Sequence, residues 1–376
     1  MNSLKPMLLT SLKSYNRTQF VKDVTAGIIV AIIALPLSIT LALASGVGPE
    51  AGIFTAIVAG FVISALGGSS VQIAGPTAAF ATIVAGIVAK DGLDGLVIST
   101  ILAGIFLILM GLCHFGSLIK FIPYTITTGF TSGIAVTIVI GQLKDFFGVT
   151  YPDGVKPIET TEKFKAFIEN ISTMNTAALI VGIVSLAILI ISPVIFKKIP
   201  GSLIAVIVGI LMVKFLPLKV STIGNLYTIS NSLPAFHLPA VNLHIIENAL
   251  PNAFTIAVLA AIESLLSCVV ADGMINGKHR SDMELVAQGA GNIASALFGG
   301  IPATGAIART AANIKNGGRT PVAGMVHSIT LVIVLVVLMP FAGMIPMPTI
   351  AAILFIVAYN MCQWRTFLQL VKTAPK

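Results

Sequence analysis

Two ionisable residues lie inside long apolar runs of the sequence, where a charge is costly. Arg309 is flanked by Ala308 and Thr310, and Glu263 follows the apolar run 254–262. Ionisable residues in such surroundings usually face a protein interior or a wet cavity and mark a ligand or proton pathway. The position of Arg309 therefore predicts that its positive charge binds an anion or a carboxylate. The alternative is a side chain that extends to the membrane surface.

Glu263 has a hydroxyl partner one helical turn further on. Ser267 follows at a spacing of four residues, which places both side chains on one helix face. A carboxylate and a hydroxyl near the carbonyls of a broken helix suit a coupling ion, either Na⁺ or H⁺. The alternative is a structural ion pair between Glu263 and Arg309.

Two glycine motifs each open a short apolar segment. Gly75 precedes a segment at Pro76–Val88, whose ~13 residues make a helix of about 20 Å, too short to cross a bilayer. Pro76 suits a first helical turn, and Gly75 allows the backbone to approach a ligand closely. Gly305 opens the counterpart segment, and extended stretches at 69–74 and 301–303 precede the two segments.

Helix N-termini that face each other would form an anion site without a formal charge. Their free N–H groups and partial positive charges would both point at the ligand. The alternative is that both segments are kinked packing helices.

The elements that must carry these residues are membrane helices. The chain is 56% hydrophobic and 10% charged, against about 25% charged residues in a soluble domain. The period-2 alternation of a membrane barrel is absent, so the spans are predicted to be helices. About twelve apolar segments recur, near 24–44, 51–67, 75–88, 95–113, 122–142, 175–195, 200–217, 248–270, 283–298, 305–314, 321–340 and 347–362.

An internal repeat relates the two halves of the chain. Residues 63–68 (ISALGG) precede 75–80 (GPTAAF), and residues 294–300 (ASALFGG) precede 303–310 (ATGAIART). The first copy begins at the second segment and the second copy at the ninth, an odd offset that inverts one copy in the membrane. Such inverted repeats are typical of secondary transporters, with the binding site where the interrupted helices meet. Chance similarity of small-residue motifs is the alternative.

The charges predict an orientation and exclude several classes of function. The net charge is +8, from 22 Lys and Arg against 14 Asp and Glu. The positive-inside rule explains this excess better than nucleic-acid binding does, and it predicts cytoplasmic N- and C-termini. Residues 272–284 are predicted to form a solvated cytoplasmic loop. The three cysteines form no CxxC pair, the five histidines are scattered and no Walker loop occurs, so neither a metal site, nor a cofactor, nor ATP-driven transport is predicted.

Five motifs of the sequence resemble the SulP family of anion transporters, relatives of animal sulfate permeases. They cover most of the chain in order and comprise VGPEAG at 47–52, GPT at 75–77, GFTSG at 129–133, IESLL at 262–266 and GAIART at 305–310. The resemblance implies an all-α polytopic membrane protein with a seven-plus-seven inverted repeat of core and gate domains, in which about 12 of 14 segments are present. The implied divisions are a lead-in at 1–23, the first core repeat at 24–115, the first gate repeat at 116–218, an extracellular loop at 219–247, the second core repeat at 248–340 and the start of the second gate repeat at 341–376.

The resemblance also assigns site residues. It implies a substrate site between the third and tenth segments, formed by Leu37, Leu41, Gly75, Thr77, Ala78, Ala79, Phe80, Gly305, Ala306, Ile307, Ala308 and Arg309. It implies a coupling-ion site at Glu263, Ser267 and Thr77. The sodium-dependent branch of the family has Asp and Thr where this chain has Glu263 and Ser267. We therefore favour H⁺ over Na⁺, because desolvation favours the protonated form of a carboxyl and protonated carboxyls can carry H⁺.

The implied surroundings are a bacterial inner membrane, with small anions as substrates. Family members continue through two more helices and a cytoplasmic STAS domain, so the sequence is expected to be a truncated form whose full-length parent is a homodimer. The leading hypothesis is a symporter or exchanger of sulfate, bicarbonate, chloride or a dicarboxylate, with elevator-like movement of core against gate. A nucleobase transporter of the same fold and an anion channel or electromechanical element like prestin are the alternatives, and an enzyme is not expected.

Overall fold

The computed structural model describes residues 4–117, 124–152, 154–155, 157–196, 199–216, 218–230, 232–239 and 243–362. Helices dominate this part of the chain. In order, they are α1 (Met7–Ser11), α2 (Arg17–Ala44), α3 (Pro49–Leu66), α4 (Ala78–Leu112), α5 (Tyr124–Phe147), α6 (Thr160–Glu169), α7 (Thr176–Ile195), α8 (Gly201–Phe215), α9 (Ile223–Leu226), α10 (Leu243–Ile275), α11 (Ser281–Leu297), α12 (Ile307–Lys315), α13 (Val322–Ala342) and α14 (Met347–Met361). The predicted orientation rests in part on Lys120, Lys156, Lys197, Lys198 and the basic residues beyond 362, which lie outside the described residues.

Six of these helices are long and apolar enough to cross a membrane. They are α2, α3, α4, α7, α10 and α13, and α8 and α14 are shorter apolar helices. Each predicted apolar segment coincides with one of the helices or with half of one. The chain is thus a multi-pass membrane protein built from helices.

Helix α4 contains the predicted third and fourth segments, divided by a break. Straight, its 35 residues would span about 50 Å, well beyond a hydrocarbon core. Gly92 has φ 70° and ψ −170°, a conformation that side-chain-bearing residues rarely adopt, and it interrupts the helix there. The first half, residues 78–91, is the short helix that the sequence predicts. It begins at Ala78, so the prediction that Pro76 lies in its first turn is wrong, and Pro76 precedes the N-cap residue Thr77.

A two-stranded antiparallel pair joins the two halves of the chain. Strand β1 (Ala74–Gly75) precedes α4, and strand β2 (Thr304–Gly305) precedes α12. Ala74 pairs with Gly305, and Gly75 pairs with Thr304. Because α4 and α12 each start within three residues of a paired strand, their N-termini lie side by side.

The described helices pack in two groups. Helices α2, α3, α4, α10, α11, α12 and α13 pack mainly on one another, and α5, α7, α8 and α14 form a second set. Contacts between the sets run chiefly from α4 to α5 and from α2 to α8 and α14. Both short helices belong to the first set, so a movement of one set against the other would carry the paired N-termini as a unit.

Candidate functional site

The N-termini of α4 and α12 carry no side-chain cap. Thr77 is the N-cap residue of α4, but its side chain makes no capping hydrogen bond. The N-cap residue of α12 is Ala306, whose methyl side chain cannot accept a hydrogen bond. The first N–H groups of a helix need partners from outside the helix. Two uncapped helix starts beside one another therefore form a paired set of hydrogen-bond donors.

The extended stretch before α12 is fixed by side chains. Asn292 of α11 accepts a hydrogen bond from the Ala303 N–H at 2.9 Å and donates to the Ala303 carbonyl at 2.9 Å. The Ile301 N–H donates to Thr55 Oγ1 at 2.7 Å, and Ser295 Oγ donates to the Ile301 carbonyl at 2.8 Å. These side chains form hydrogen bonds with backbone groups that have no partner within a helix or a sheet.

The stretch before α4 is fixed by a buried carboxylate. The N–H groups of Gly68 and Ser69 donate to Glu284 Oε2 at 2.9 and 3.2 Å. Glu284 lies in α11 and is fully buried. The prediction that this residue belongs to a solvated loop is wrong, because its carboxylate completes the hydrogen bonds of a chain segment that is 215 residues away in sequence.

Three further side chains surround the second oxygen of Glu284. Gln72 Nε2, Gln288 Nε2 and Ser264 Oγ donate to Oε1 at 2.8, 2.9 and 3.2 Å. Gln72 Nε2 also donates to Ser264 Oγ at 2.7 Å, and Cys268 Sγ donates to Gln72 Oε1 at 2.8 Å. Sequence reasoning missed Gln72 and Glu284. The available signal was the spacing of Glu284, Gln288 and Asn292, which places three polar side chains on one face of α11.

Arg309 is buried at 1% exposure, so the alternative in which it extends to the membrane surface is wrong. Its Nη2 donates a hydrogen bond to Oγ of Ser38 at 3.3 Å. Ser38 lies in α2 and was not among the predicted site residues. Nε and Nη1 have no hydrogen-bond partner. None of the ion pairs among the described residues includes Arg309 or Glu263. The alternative of a Glu263–Arg309 pair is therefore also wrong, and the charge of Arg309 is not neutralised by a neighbouring carboxylate.

The two glycines of the paired strands make room for polar side chains. A Cβ at Gly75 would collide with Nη1 of Arg309, and a Cβ at Gly305 would collide with the amide of Gln72. The sequence analysis assigned the space at Gly75 to a ligand, whereas a guanidinium occupies it. Glycine at these positions therefore allows the guanidinium and the amide to pack closely against the paired strands.

Thr77 links the start of α4 to Glu263. Its Oγ1 donates to Glu263 Oε2 at 2.8 Å and accepts no capping hydrogen bond from its own helix. Ser267 Oγ instead lies 3.5 Å from Thr310 Oγ1, which accepts a hydrogen bond from the Ile73 N–H at 3.1 Å. The predicted coupling residues thus fall into one joined pair, Thr77 with Glu263, and a separate hydroxyl at Ser267.

The remaining predicted substrate residues differ in exposure. Ala78, Ala79, Phe80 and Leu41 are buried and belong to one apolar cluster, against which the partly buried Leu37 packs. At the other helix Ile307 is 47% exposed, and Ala308 is also exposed. Among the described residues, no group of three or more His, Cys, Asp and Glu side chains is placed to hold a metal ion.

Comparison with known proteins identifies the family. Residues 20–376 match the family described as the sulfate permease family. The chain belongs to this family. It is 43% identical to the "Putative sulfate transporter YvdB" of Bacillus subtilis (strain 168) over 93% of the chain, and 33% identical to the "Bicarbonate transporter BicA" of Picosynechococcus sp. over 94% of the chain. It spans 66% of the length of the first relative and 64% of the second.

Solved structures confirm the predicted fold class. The transmembrane domain of a cyanobacterial bicarbonate transporter BicA matches with a TM-score of 0.85 and 30% identity, over 96% of this chain and 92% of that one. Murine Slc26a9, described as an anion transporter in the inward-facing state, matches with a TM-score of 0.87 and 20% identity over 99% of this chain and 65% of that one. The chain therefore has the inverted-repeat membrane fold of this family. Its relatives are named as anion transporters, not as enzymes or nucleobase carriers.

Removing the carboxylate of Glu284 should loosen the stretch before α4. In Glu284→Ala, buried N–H donors lose their acceptor, at a cost on the order of 3 kcal/mol in the free energy of unfolding. We expect a lower apparent melting temperature in detergent and faster amide hydrogen exchange at residues 68–73. The exposed residue Glu247 on α10 offers a matched control, Glu247→Ala. Exchange and melting equal to those of the control would contradict the assigned role of Glu284.

Proposed function

We propose that this protein is a secondary active transporter of small inorganic or carboxylate anions, coupled to protons, that works by an elevator-type movement. The observation that carries the proposal is the pair of uncapped helix N-termini held together by β1 and β2. Donor groups of this kind bind anions in many proteins through their N–H groups and partial positive charge. The relatives named for sulfate and for bicarbonate support the same class of substrate.

The buried charge of Arg309 adds to this site. It lies in the first turn of α12 and packs against Gly75 of the paired strand. Because no carboxylate pairs with it among the described residues, its positive potential is available to a bound anion. We therefore assign Arg309 a role through its electric field, while the backbone N–H groups of residues 78, 79, 307 and 308 contact the anion.

The packing of the helices supports alternating access. The anion site lies within one helix group, and α5, α7, α8 and α14 form the other. Apolar side chains join the groups, because Phe80 of α4 and Phe146 of α5 belong to one core cluster. Movement of the first group against the second would carry the intact site across the membrane. The location in a bacterial inner membrane, the cytoplasmic N-terminus and the dimeric state of the full-length protein belong to the same proposal.

Uptake by proteoliposomes tests the function directly. The expected result is saturable accumulation of one or more of labelled sulfate, bicarbonate, chloride and a small dicarboxylate, with counterflow when the vesicles are preloaded. A channel would conduct without counterflow, so conduction of this kind would contradict a carrier. The panel should be run on this chain and on the full-length protein.

The charge of Arg309 should contribute to anion affinity. Arg309→Ala is expected to weaken binding by about 1–3 kcal/mol, the range for a lost charge-assisted interaction, which is about 5–150-fold in Kd. Calorimetric titration of the transported anion into wild type and variant measures this. Ser38→Ala is the matched control, because it removes the hydrogen-bond partner of Arg309 and keeps its charge. Equal affinity in Arg309→Ala and wild type would make Arg309 a structural residue.

Glu263 is the proposed proton carrier. Its carboxyl accepts a hydrogen bond from Thr77 at the start of α4 and has no cationic partner among the described residues. Protonation near a bound anion would remove a like charge from the site, which couples the two binding events. Ser267, which a sodium site would need as a third ligand, is directed to Thr310 instead.

Uptake should therefore follow the proton gradient. We expect an inward proton gradient to increase anion uptake, and replacement of sodium by potassium to leave it unchanged. Glu263→Gln should abolish the gradient effect while some exchange remains, and Thr77→Val should retain the gradient effect because the carboxyl is still present. Uptake that requires sodium and ignores pH would contradict proton coupling and would make Glu263 with Thr77 and Ser267 a cation site.

A further inference from the structure

A cavity of about 200 Å³ lies between the two helix groups, apart from the site described above. Its walls come from the end of α2, the first half of α4, α5 and α6. Its polar members are Thr82, Thr137, Gln142, Asp145 and Lys163. At about 30 Å³ per water molecule, it has room for a small ion with several waters. It lies at the end of α2 that the charge pattern predicts to be extracellular.

Lys163 is the cation of this cavity, and it forms no ion pair with another described residue. It lies on the short helix α6, outside the apolar spans, and its side chain is partly buried. Burial lowers the pKa of its ammonium group. Its neighbours are otherwise engaged, because Glu162 accepts the N–H groups of Ile158 and Glu159, and Lys165 pairs with Glu169 at 3.8 Å. A partly desolvated ammonium that no described carboxylate approaches within ion-pairing distance favours the binding of an anion.

Two neutral donors face the same space. Thr82 lies just over one turn into α4, and Gln142 lies on α5. Neither side chain makes a hydrogen bond with another described residue, whereas Thr137 Oγ1 already donates to the Gly133 carbonyl at 2.9 Å. The cavity thus combines one cation with two unengaged hydrogen-bond donors.

Asp145 is the opposing charge. It lines the cavity from α5 and takes part in no ion pair among the described residues. The adjacent Lys144 lies over the ring of Tyr151, 4.8 Å from its centroid, and forms no direct ion pair with Asp145. A carboxylate inside an anion-binding cavity weakens the binding of the anion by like-charge repulsion.

We propose that this cavity is a second binding site for a small inorganic anion, held by Lys163, Thr82 and Gln142 and kept weak by Asp145. Its position between the helix groups, on the helix that also forms the first site, makes it an entrance site for the transported anion. A site on a conduction path must bind well enough to attract the ion and weakly enough to release it. The entrance role rests on the proposed function, whereas anion binding at Lys163 does not.

Protection of Lys163 from chemical modification tests the site without a transport assay. The chain in detergent is treated briefly with an amine-acetylating reagent, and acetylation of each lysine is measured by peptide mass spectrometry. Sulfate or chloride, compared with gluconate at equal ionic strength, is expected to slow acetylation of Lys163 at least threefold. Lys165, two residues away and exposed, is the internal control and should be unaffected. Equal rates in all salts, or equal slowing of both lysines, would overturn the proposal.

Two variants sharpen this test. Asp145→Asn removes the repulsion and should lower the sulfate concentration for half-protection at least threefold, an effect that a merely unfolded variant would not produce. Arg309→Ala should leave protection of Lys163 intact, because the two sites are separate. Loss of protection in Arg309→Ala, or no change in Asp145→Asn, would contradict a distinct site. Protection without any uptake in proteoliposomes would uphold the site and refute only the transport function.

Discussion

Two short extended stretches of backbone run through the interior of this membrane protein, and their polar groups must find partners there. Lipid offers none, so an unpaired buried N–H or C=O would cost several kcal/mol. The protein meets this constraint with side chains from distant parts of the chain. Glu284 accepts the N–H groups of residues 68 and 69, and Asn292 holds both polar groups of Ala303. Because both side chains lie on α11, one helix organises the approaches to both short helices.

The pairing of β1 with β2 determines the electrostatics of the centre. Once the strands are paired, α4 and α12 must begin side by side, and their dipoles add at the shared end. Thr77 donates its hydroxyl proton to Glu263, does not cap its own helix, and connects the start of α4 to an ionisable group. The buried Arg309 reinforces the same sign of potential from within the packed protein. Glycine at position 75 allows this arrangement, because a side chain there would displace the guanidinium.

The boundary between the two helix groups is the second feature on which the proposed transport depends. The cavity beside Lys163 lies on that boundary, and α4 contributes both to its wall and to the paired N-termini. In the proposed second site, Lys163 would attract the anion, and the carboxylate of Asp145 would promote its release. The proposed central site, by contrast, has backbone donors and a buried charge, and the carboxyl of Glu263 accepts a hydrogen bond from Thr77 there. Under the proposed function, the two places would serve successive steps of one movement.

The sequence by itself determined the membrane class, the positions of the apolar helices, the short helices after Gly75 and near Gly305, and the intramembrane location of Arg309 and Glu263. Composition, apolar periodicity and the repeated glycine motifs are local signals, and they suffice for such predictions. The roles of Glu284, Gln72, Ser38 and Lys163 were decided only by the tertiary structure. Glu284 follows a charged turn and has the sequence context of a solvated loop, yet it is fully buried. Three of its five partners, Gly68, Ser69 and Gln72, are more than 200 residues away. The hydrogen bonds that make such burial favourable exist only once α11 packs against the stretch before α4.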